Sequence, residues 1–280
     1  MSGRDFRRST PTEICERDAY MERVRGKLQK ETLSYNLSKG DLEGYDCIEC
    51  KNRGFFMETV AFRGNLYNKM VMCECMKIRR NKENIARSGL SDFLREKTFE
   101  NFSTKNQWQL DLKTKAMEYV ENPYHHWFYV GGITGMGKTH ICSAIYTALI
   151  GKGYSPRYFR WRDEISRIKC VANDWEAYGE IVNKLKYCDL LYIDDLFWTG
   201  RNPDGTKAMP TTADMNVAFE IIDYRYLHKS KITIISSELN RQALTDIDPA
   251  IAGRIAERCG SYMLTYKDDP LKNYRGQNLF

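Results

Sequence analysis

No apolar run in the 280-residue chain approaches the ~20 residues of a membrane-spanning helix, so a membrane protein is not expected. The N-terminal stretch MSGRDFRRSTPTEICERDAYMERVRGKLQ carries charges with no apolar segment among them, and secretion is not expected either. A disulfide framework is missing as well. Nine cysteines are an odd number and most are scattered, which suits a reducing compartment. Nor is there a strong excess of one charge: a formal net charge of +6 permits nucleic-acid contact without demanding it. What is present is ordinary globular composition, 42% hydrophobic and 29% charged. The length favours about two domains.

The most chemically specific stretch is GGITGMGKTH, residues 131–140. Gly132, Gly137, Lys138 and Thr139 satisfy G-x-x-x-x-G-K-[ST]. In that pattern loop N–H groups wrap phosphates, the lysine reaches the β/γ oxygens and the hydroxyl ligates Mg2+. The flanking residues fit. Upstream, His126 to Val130 is a short aromatic and β-branched run that reads as a buried strand. Downstream, Ile141, Ala144, Ile145, Ala148 and Leu149 recur at helical spacing and stop at Gly151 and Gly153. A helix starting there offers unpaired N–H groups and a positive dipole end to an anion. The bland alternative is a glycine turn without a ligand.

A second element supports the first. Leu190-Leu191-Tyr192-Ile193-Asp194-Asp195 places two carboxylates at the end of an apolar strand. Asp194 would contact the shell of Mg2+, and Asp195 would orient or activate the attacking water. A strand followed by an N-capping Asp is the bland reading. A third strand, Lys231 to Glu238, ends in small polar residues at the edge where parallel sheets bind ligands. Ser236 or Ser237 would sense the γ-phosphate there, or serve as turn residues.

Four cysteines are paired, Cys47 with Cys50 and Cys73 with Cys75. Two close pairs on short turns bring four thiolates to one tetrahedral Zn2+, and four thiolates leave no open position for catalysis. The segment between alternates apolar and polar residues around Gly54 and Gly64, so a metal-closed β-hairpin, zinc-ribbon-like, is expected over 47–75. Reduced buried cysteines are the alternative, although Cys15, Cys142, Cys170, Cys188 and Cys259 lie apart. Before the module, Tyr20, Val24 and Leu28 form a narrow helical stripe for packing on their own domain or on a partner helix. After it, KIRRNKENIAR (77–87) reads as a linking helix, a solvated face or a phosphate contact.

The pieces KTFENF (97–102), GGITGMGKTHICSAI, YFRWRDEI (158–165), LLYIDDLF, PTTADMNVAFEIIDYRY (210–226), TIISSEL, DIDPAIAGRIAERC (246–259) and NYR (273–275) are in order along the chain. Together they resemble the AAA+ ATPases, and among them the helicase loaders of the DnaC/DnaI type in phage-like and Firmicute-like versions. IstB-type transposition helper ATPases share much of the set. The resemblance, over roughly 97–276, implies an α/β fold: a AAA+ P-loop domain over 89–280, its parallel sheet sandwiched by helices. A helicase-docking domain over 1–88, holding the zinc module, would precede it. ATP would be hydrolysed to ADP and phosphate, slowly and in dependence on assembly.

By position, the resemblance implies that Phe99 and Phe102 flank the adenine. Gly132, Thr134, Gly135, Met136, Gly137, Lys138, Thr139 and His140 would hold the nucleotide. Lys138, Asp194 and Asp195 would serve catalysis, with Thr139 and Asp194 on Mg2+. Ser237 matches a sensor position, where many relatives carry Asn shortly after the strand and this chain has Glu238 nearby. Arg254 matches an arginine finger that reaches a neighbouring subunit's nucleotide. Such a finger is worth roughly 10³–10⁵ in rate and ties turnover to assembly. Arg258 is its rival, and a solvated helix face the bland reading. Arg275 resembles a second sensor.

The implied partners are a hexameric replicative helicase of the DnaB type, single-stranded DNA, and further copies of the chain on ATP binding. The implied setting is the cytoplasm of a bacterial cell or phage-infected host. Single-strand binding needs cations and aromatic faces. Tyr158-Phe159-Arg160-Trp161-Arg162 offers both, and the loop after Asp195, with Arg201 and Lys207, would line a channel in a ring or spiral. Two other functions stay open: an ATPase assisting a transposase, and a nucleotide-binding adaptor without turnover.

Overall fold

The computed structural model describes residues 11–43, 45–267, 269, 272 and 273. Arg275, expected as a second sensor, lies outside the described residues. The chain divides into two compact units between Arg80 and Asn81. That point falls inside helix α2 (Cys75–Arg87), the basic segment read as a linker.

In the first unit, helix α1 (Pro11–Leu37) packs on a hairpin of β1 (Phe55–Phe62) and β2 (Asn65–Met72). The antiparallel register runs from Phe55↔Met72 to Phe62↔Asn65. Arg63 and Gly64, at φ 48° and 81°, make the two-residue connection, whose left-handed conformation matches the strand twist. The hairpin expected between the cysteine pairs is therefore present. Polar pins fix the helix on it. The Asn36 side chain donates to Met57 O (2.9 Å) and accepts from Met57 N–H (2.8 Å). Thr32 and Thr59 both donate to Asn68 Oδ1. On the α1 stripe Val24 and Leu28 are half-buried, whereas Tyr20 is exposed.

The second unit is a five-stranded sheet in the order β4-β5-β6-β3-β7, every pairing parallel. Its strands are β3 (Phe128–Gly131), β4 (Pro156–Arg160), β5 (Leu190–Asp194), β6 (Ile232–Ser237) and β7 (Met263–Thr265). The short α3 (Asp92–Arg95) is followed by α4 (Gln107–Glu121) and α5 (Lys138–Gly151). Between and after the later strands come α6 (Trp161–Cys170), α7 (Trp175–Tyr187), α8 (Thr212–Leu227), α9 (Arg241–Ile247) and α10 (Pro249–Cys259).

Successive strand residues point to opposite faces, and both faces are covered. Phe128, Val130, Leu190, Tyr192, Ile232 and Ile234 pack with Leu112, Ala116, Ile141 and Ile145 of α4 and α5. Trp127, Tyr129, Leu191, Ile193 and Ile235 face Ile165, Val182, Ile221 and Ile255 of the other helices. This double burial is why the strands read as nearly unbroken apolar runs. One buried cation ties the layers: Arg225 of α8, with no exposed surface, donates to Leu185 O (3.0 Å), Cys188 O (2.9 Å) and Ile232 O (2.6 Å). Carbonyls at the negative end of α7 thus take the place of a carboxylate partner.

Candidate functional site

Three strand ends converge on one edge of the sheet: Gly131 of β3, Asp194 of β5 and Ser237 of β6. There the backbone between β3 and α5 is bare because it must be. Gly137 is left-handed at φ 97°, and a Cβ added to it would lie 3.1 Å from Phe102 Cε2. A Cβ on Gly132 would lie 2.6 Å from the sulfur of Met136, a buried side chain. Lys138 opens α5 and is buried; its Nζ donates to Gly132 O and Ile133 O at 2.8 Å each. Burial pulls its ammonium below the usual lysine range, against the Glu238 and Asp195 carboxylates.

Thr139 Oγ1 donates to Asp194 Oδ1 at 3.2 Å, so α5 and β5 meet through the two residues that would carry Mg2+. Asp194 is buried and accepts three more hydroxyls, from Tyr192 (2.7 Å) and Ser236 (2.5 Å) on Oδ1 and from Tyr158 (2.9 Å) on Oδ2. Asp195 follows with a left-handed backbone (φ 58°), and its N–H donates to Ser236 Oγ at 3.0 Å. Burial, and then the neighbouring Asp194 charge, pushes its carboxyl up to about 6. A cavity of about 800 Å³ opens over these groups. Thr134, Gly135, Gly137, Lys138, Thr139 and His140 form one wall, and Asp194 and Asp195 line it as well. Its size suits a nucleotide.

The remaining candidates divide. Phe102 is buried with its ring edge-on to His140 at 5.1 Å. His140 Nε2 faces Thr98 O (2.9 Å) and Asn101 Oδ1 (2.8 Å), so this nitrogen carries the proton and the ring fastens the 98–102 segment to α5. Phe99 is half-buried against the same core. Ser237 is not brought to the cavity. Its hydroxyl donates to Leu196 O (2.8 Å) and accepts from Leu239 N–H (3.2 Å), while Glu238 lines the cavity instead. Glu238 accepts from the Thr134 hydroxyl and pairs with Lys207 at 3.3 Å.

Arg254 lies away from this chain's cavity, paired with Asp223 (2.7 Å) and placed over the Phe219 ring (4.8 Å). Its side chain is 27% exposed. Arg258 is buried over Trp127 and donates to Lys229 O (3.0 Å), a structural tie rather than a free guanidinium. In the aromatic–basic run, Phe159 and Trp161 are buried core, whereas Arg160 and Arg162 are exposed and line the cavity. Arg162 stacks over Trp198 at 4.1 Å.

In the first unit the Sγ atoms of Cys47, Cys50, Cys73 and Cys75 all lie within 4.8 Å of one another. The Cys47–Cys73 and Cys50–Cys75 sulfurs are 3.7 and 3.4 Å apart, near the ~3.8 Å that a tetrahedron of Zn–S bonds requires. The donor set fits zinc. Arg79 of α2 braces the first knuckle by donating to the Glu43 and Tyr45 carbonyls and to Asn52 Oδ1. Asn52 in turn accepts from Cys47 N–H at 2.8 Å.

The family described as IstB-like ATP binding protein matches residues 61–259. The chain belongs to this family. Its members, with the DnaC and DnaA proteins, are AAA+ ATPases, and ATPase activity follows for this chain. The chain is 29% identical over 239 residues to the phage-like element PBSX protein XkdC of Bacillus subtilis, covering 82% of this chain and 85% of that protein. It is 30% identical over 113 residues to the replicative helicase loader DnaC of Escherichia coli, 39% of this chain and 46% of DnaC. The match thus spans under half of that loader. The crystal structure of DnaI shares the fold, with a TM-score of 0.50 and 19% identity over 64% of this chain and 94% of that one. Among the described residues no helix is long and apolar enough to cross a membrane.

Proposed function

We propose that the protein is an ATP-dependent loader that binds a hexameric replicative helicase and delivers it to single-stranded DNA. The observation carrying this reading is the gathering of Lys138, Thr139, Asp194 and Asp195 in one cleft, in a family that takes in a replicative helicase loader. Phosphates would lie on the bare amides of 132–137 with Lys138 at their outer oxygens. Thr139 and Asp194 would hold Mg2+, which supplies charge neutralisation when bound. Asp195 would take a proton from the attacking water, and Arg254 of one copy would reach the nucleotide of the next. Phe99 and Phe102 would support the adenine and Arg275 would sense phosphate, within an ATPase domain over 89–280. The domain over 1–88 would dock the helicase, its four cysteines holding one structural Zn2+. Arg160 and Arg162, exposed at the cleft, would contact DNA.

A second reading has its own support, since the family description is that of IstB-like proteins: an ATPase that assists a transposase on double-stranded DNA. One experiment separates them. The host helicase hexamer is mixed with the full chain, ATP and circular single-stranded DNA, and helicase retained on the circles is measured. Retention that requires the protein and ATP, and that is lost on stripping zinc while ATP binding persists, is the expected result. No capture of helicase, with ATP-dependent filaments on double-stranded DNA instead, would sink the loader reading.

A further inference from the structure

Four hydroxyls converge on one carboxylate, and two of them belong to buried tyrosines. Tyr158 of β4 and Tyr192 of β5 are direct parallel partners, with ring centroids 5.2 Å apart. Asp194 follows Tyr192 by two residues and so shares its face of the sheet. Tyr192 has no exposed surface and Tyr158 only 8%. Phenylalanine would fill both places equally well and would need no polar partner. The hydroxyls therefore have a use beyond packing.

That use lies in the carboxylate they touch. The χ2 torsion of an aspartate is broad, so a strand fixes the position of Asp194 without fixing the plane of its oxygens. Tyr192 and Ser236 hold Oδ1 at 2.7 and 2.5 Å, and Tyr158 holds Oδ2 at 2.9 Å from the other side. Oδ1 takes three donors, from Tyr192, Ser236 and Thr139, and Oδ2 takes one, from Tyr158, so the carboxylate is gripped at both oxygens. Thr139 makes the longest of the four contacts, at 3.2 Å, and is the one donor that the glycine-loop pattern assigns to a metal ion.

We infer that Tyr158 and Tyr192 are positioning residues that lock the plane of the Asp194 carboxylate, the group that with Thr139 would hold magnesium. The inference rests on reading the cleft as a magnesium–nucleotide site. It is tested with Tyr158→Phe, Tyr192→Phe and the double variant, which keep the rings and remove only the hydroxyls. ATP affinity is measured by calorimetry in EDTA and again in Mg2+, alongside the thermal midpoint. Affinity in EDTA should stay within about twofold of wild type, while the gain in affinity on adding Mg2+ should fall about tenfold in the double variant and partly in each single one. Should the double variant not fold, the single variants carry the comparison. A magnesium-dependent gain equal to wild type in every folded variant overturns the inference, whether or not the midpoint falls. So does an equal loss in EDTA and in Mg2+. Wild-type protein that binds no ATP in either buffer overturns the site reading and this inference together.

Discussion

Asp195 stands in a left-handed backbone position directly after the end of β5, and Phe197 follows at φ 61°. A bulky residue is seldom found there, and it persists only where its surroundings hold it. Phe197 is buried, its ring edge-on to Trp161 at 5.3 Å. The turn gives Asp195 a place on the cavity wall beside Asp194. Asp195→Asn keeps the shape and loses the base. ATP affinity should stay within about twofold of wild type while turnover falls at least about a hundredfold, the ordinary share of a general base. Turnover near the wild-type rate would remove Asp195 from the chemistry. The glycine loop and the paired aspartates were legible because each is a contiguous pattern. Tyr158 was not, since its partner is fixed by the register between β4 and β5, which no local pattern encodes. Ser236 and Ser237 could not be told apart from sequence because strand alternation sends them to opposite faces, one onto Asp194 and the other onto Leu196 O.

Helix α8 shows how one element is started. Thr211 accepts from Asp214 N–H and the Asp214 carboxylate accepts from Thr211 N–H, a capping box that satisfies two orphan donors. Lys169 of α6 adds a 2.8 Å ion pair to the same buried carboxylate. Burial alone would raise the Asp214 carboxyl, but the bonds from Lys169 and Thr211 outweigh it and hold the group below its usual range. With the folded value below the unfolded one, the stabilisation is present above the ordinary aspartate range and is lost as pH falls through the folded value. Asp214→Asn should therefore cost about 1–3 kcal/mol at pH 7, measured by denaturant unfolding. The gap between the two proteins should narrow on acidification below about pH 4. A difference that is unchanged between neutral and acid conditions would contradict the assignment. The box is a local pattern that the sequence reading passed over, taking 210–214 as part of the loop after Asp195, whereas Lys169 arrives from a distant helix and leaves no local trace.

At the scale of the whole molecule, the described residues lining the cleft lie between Gly89 and Glu238, within the second unit. The division after Arg80 falls inside the basic stretch 77–87 read as a linking helix, ahead of the boundary expected after residue 88. The parallel sheet was legible too, because strands buried on both faces read as apolar runs separated by helical spacing. The strand order was not, since it is set by how helices pack across both faces. The reading of the molecule stands on the binding of a magnesium-complexed triphosphate by the amides of 132–137 and the Lys138 ammonium. Calorimetric titration of the full chain with ATP and Mg2+ tests that directly, beside Lys138→Ala. The account expects saturation at one site per chain, and an affinity lower by about tenfold or more in the variant, as loss of a charge-assisted contact to phosphate requires. No heat of binding from folded wild-type protein, or equal affinity in the two proteins, would contradict it.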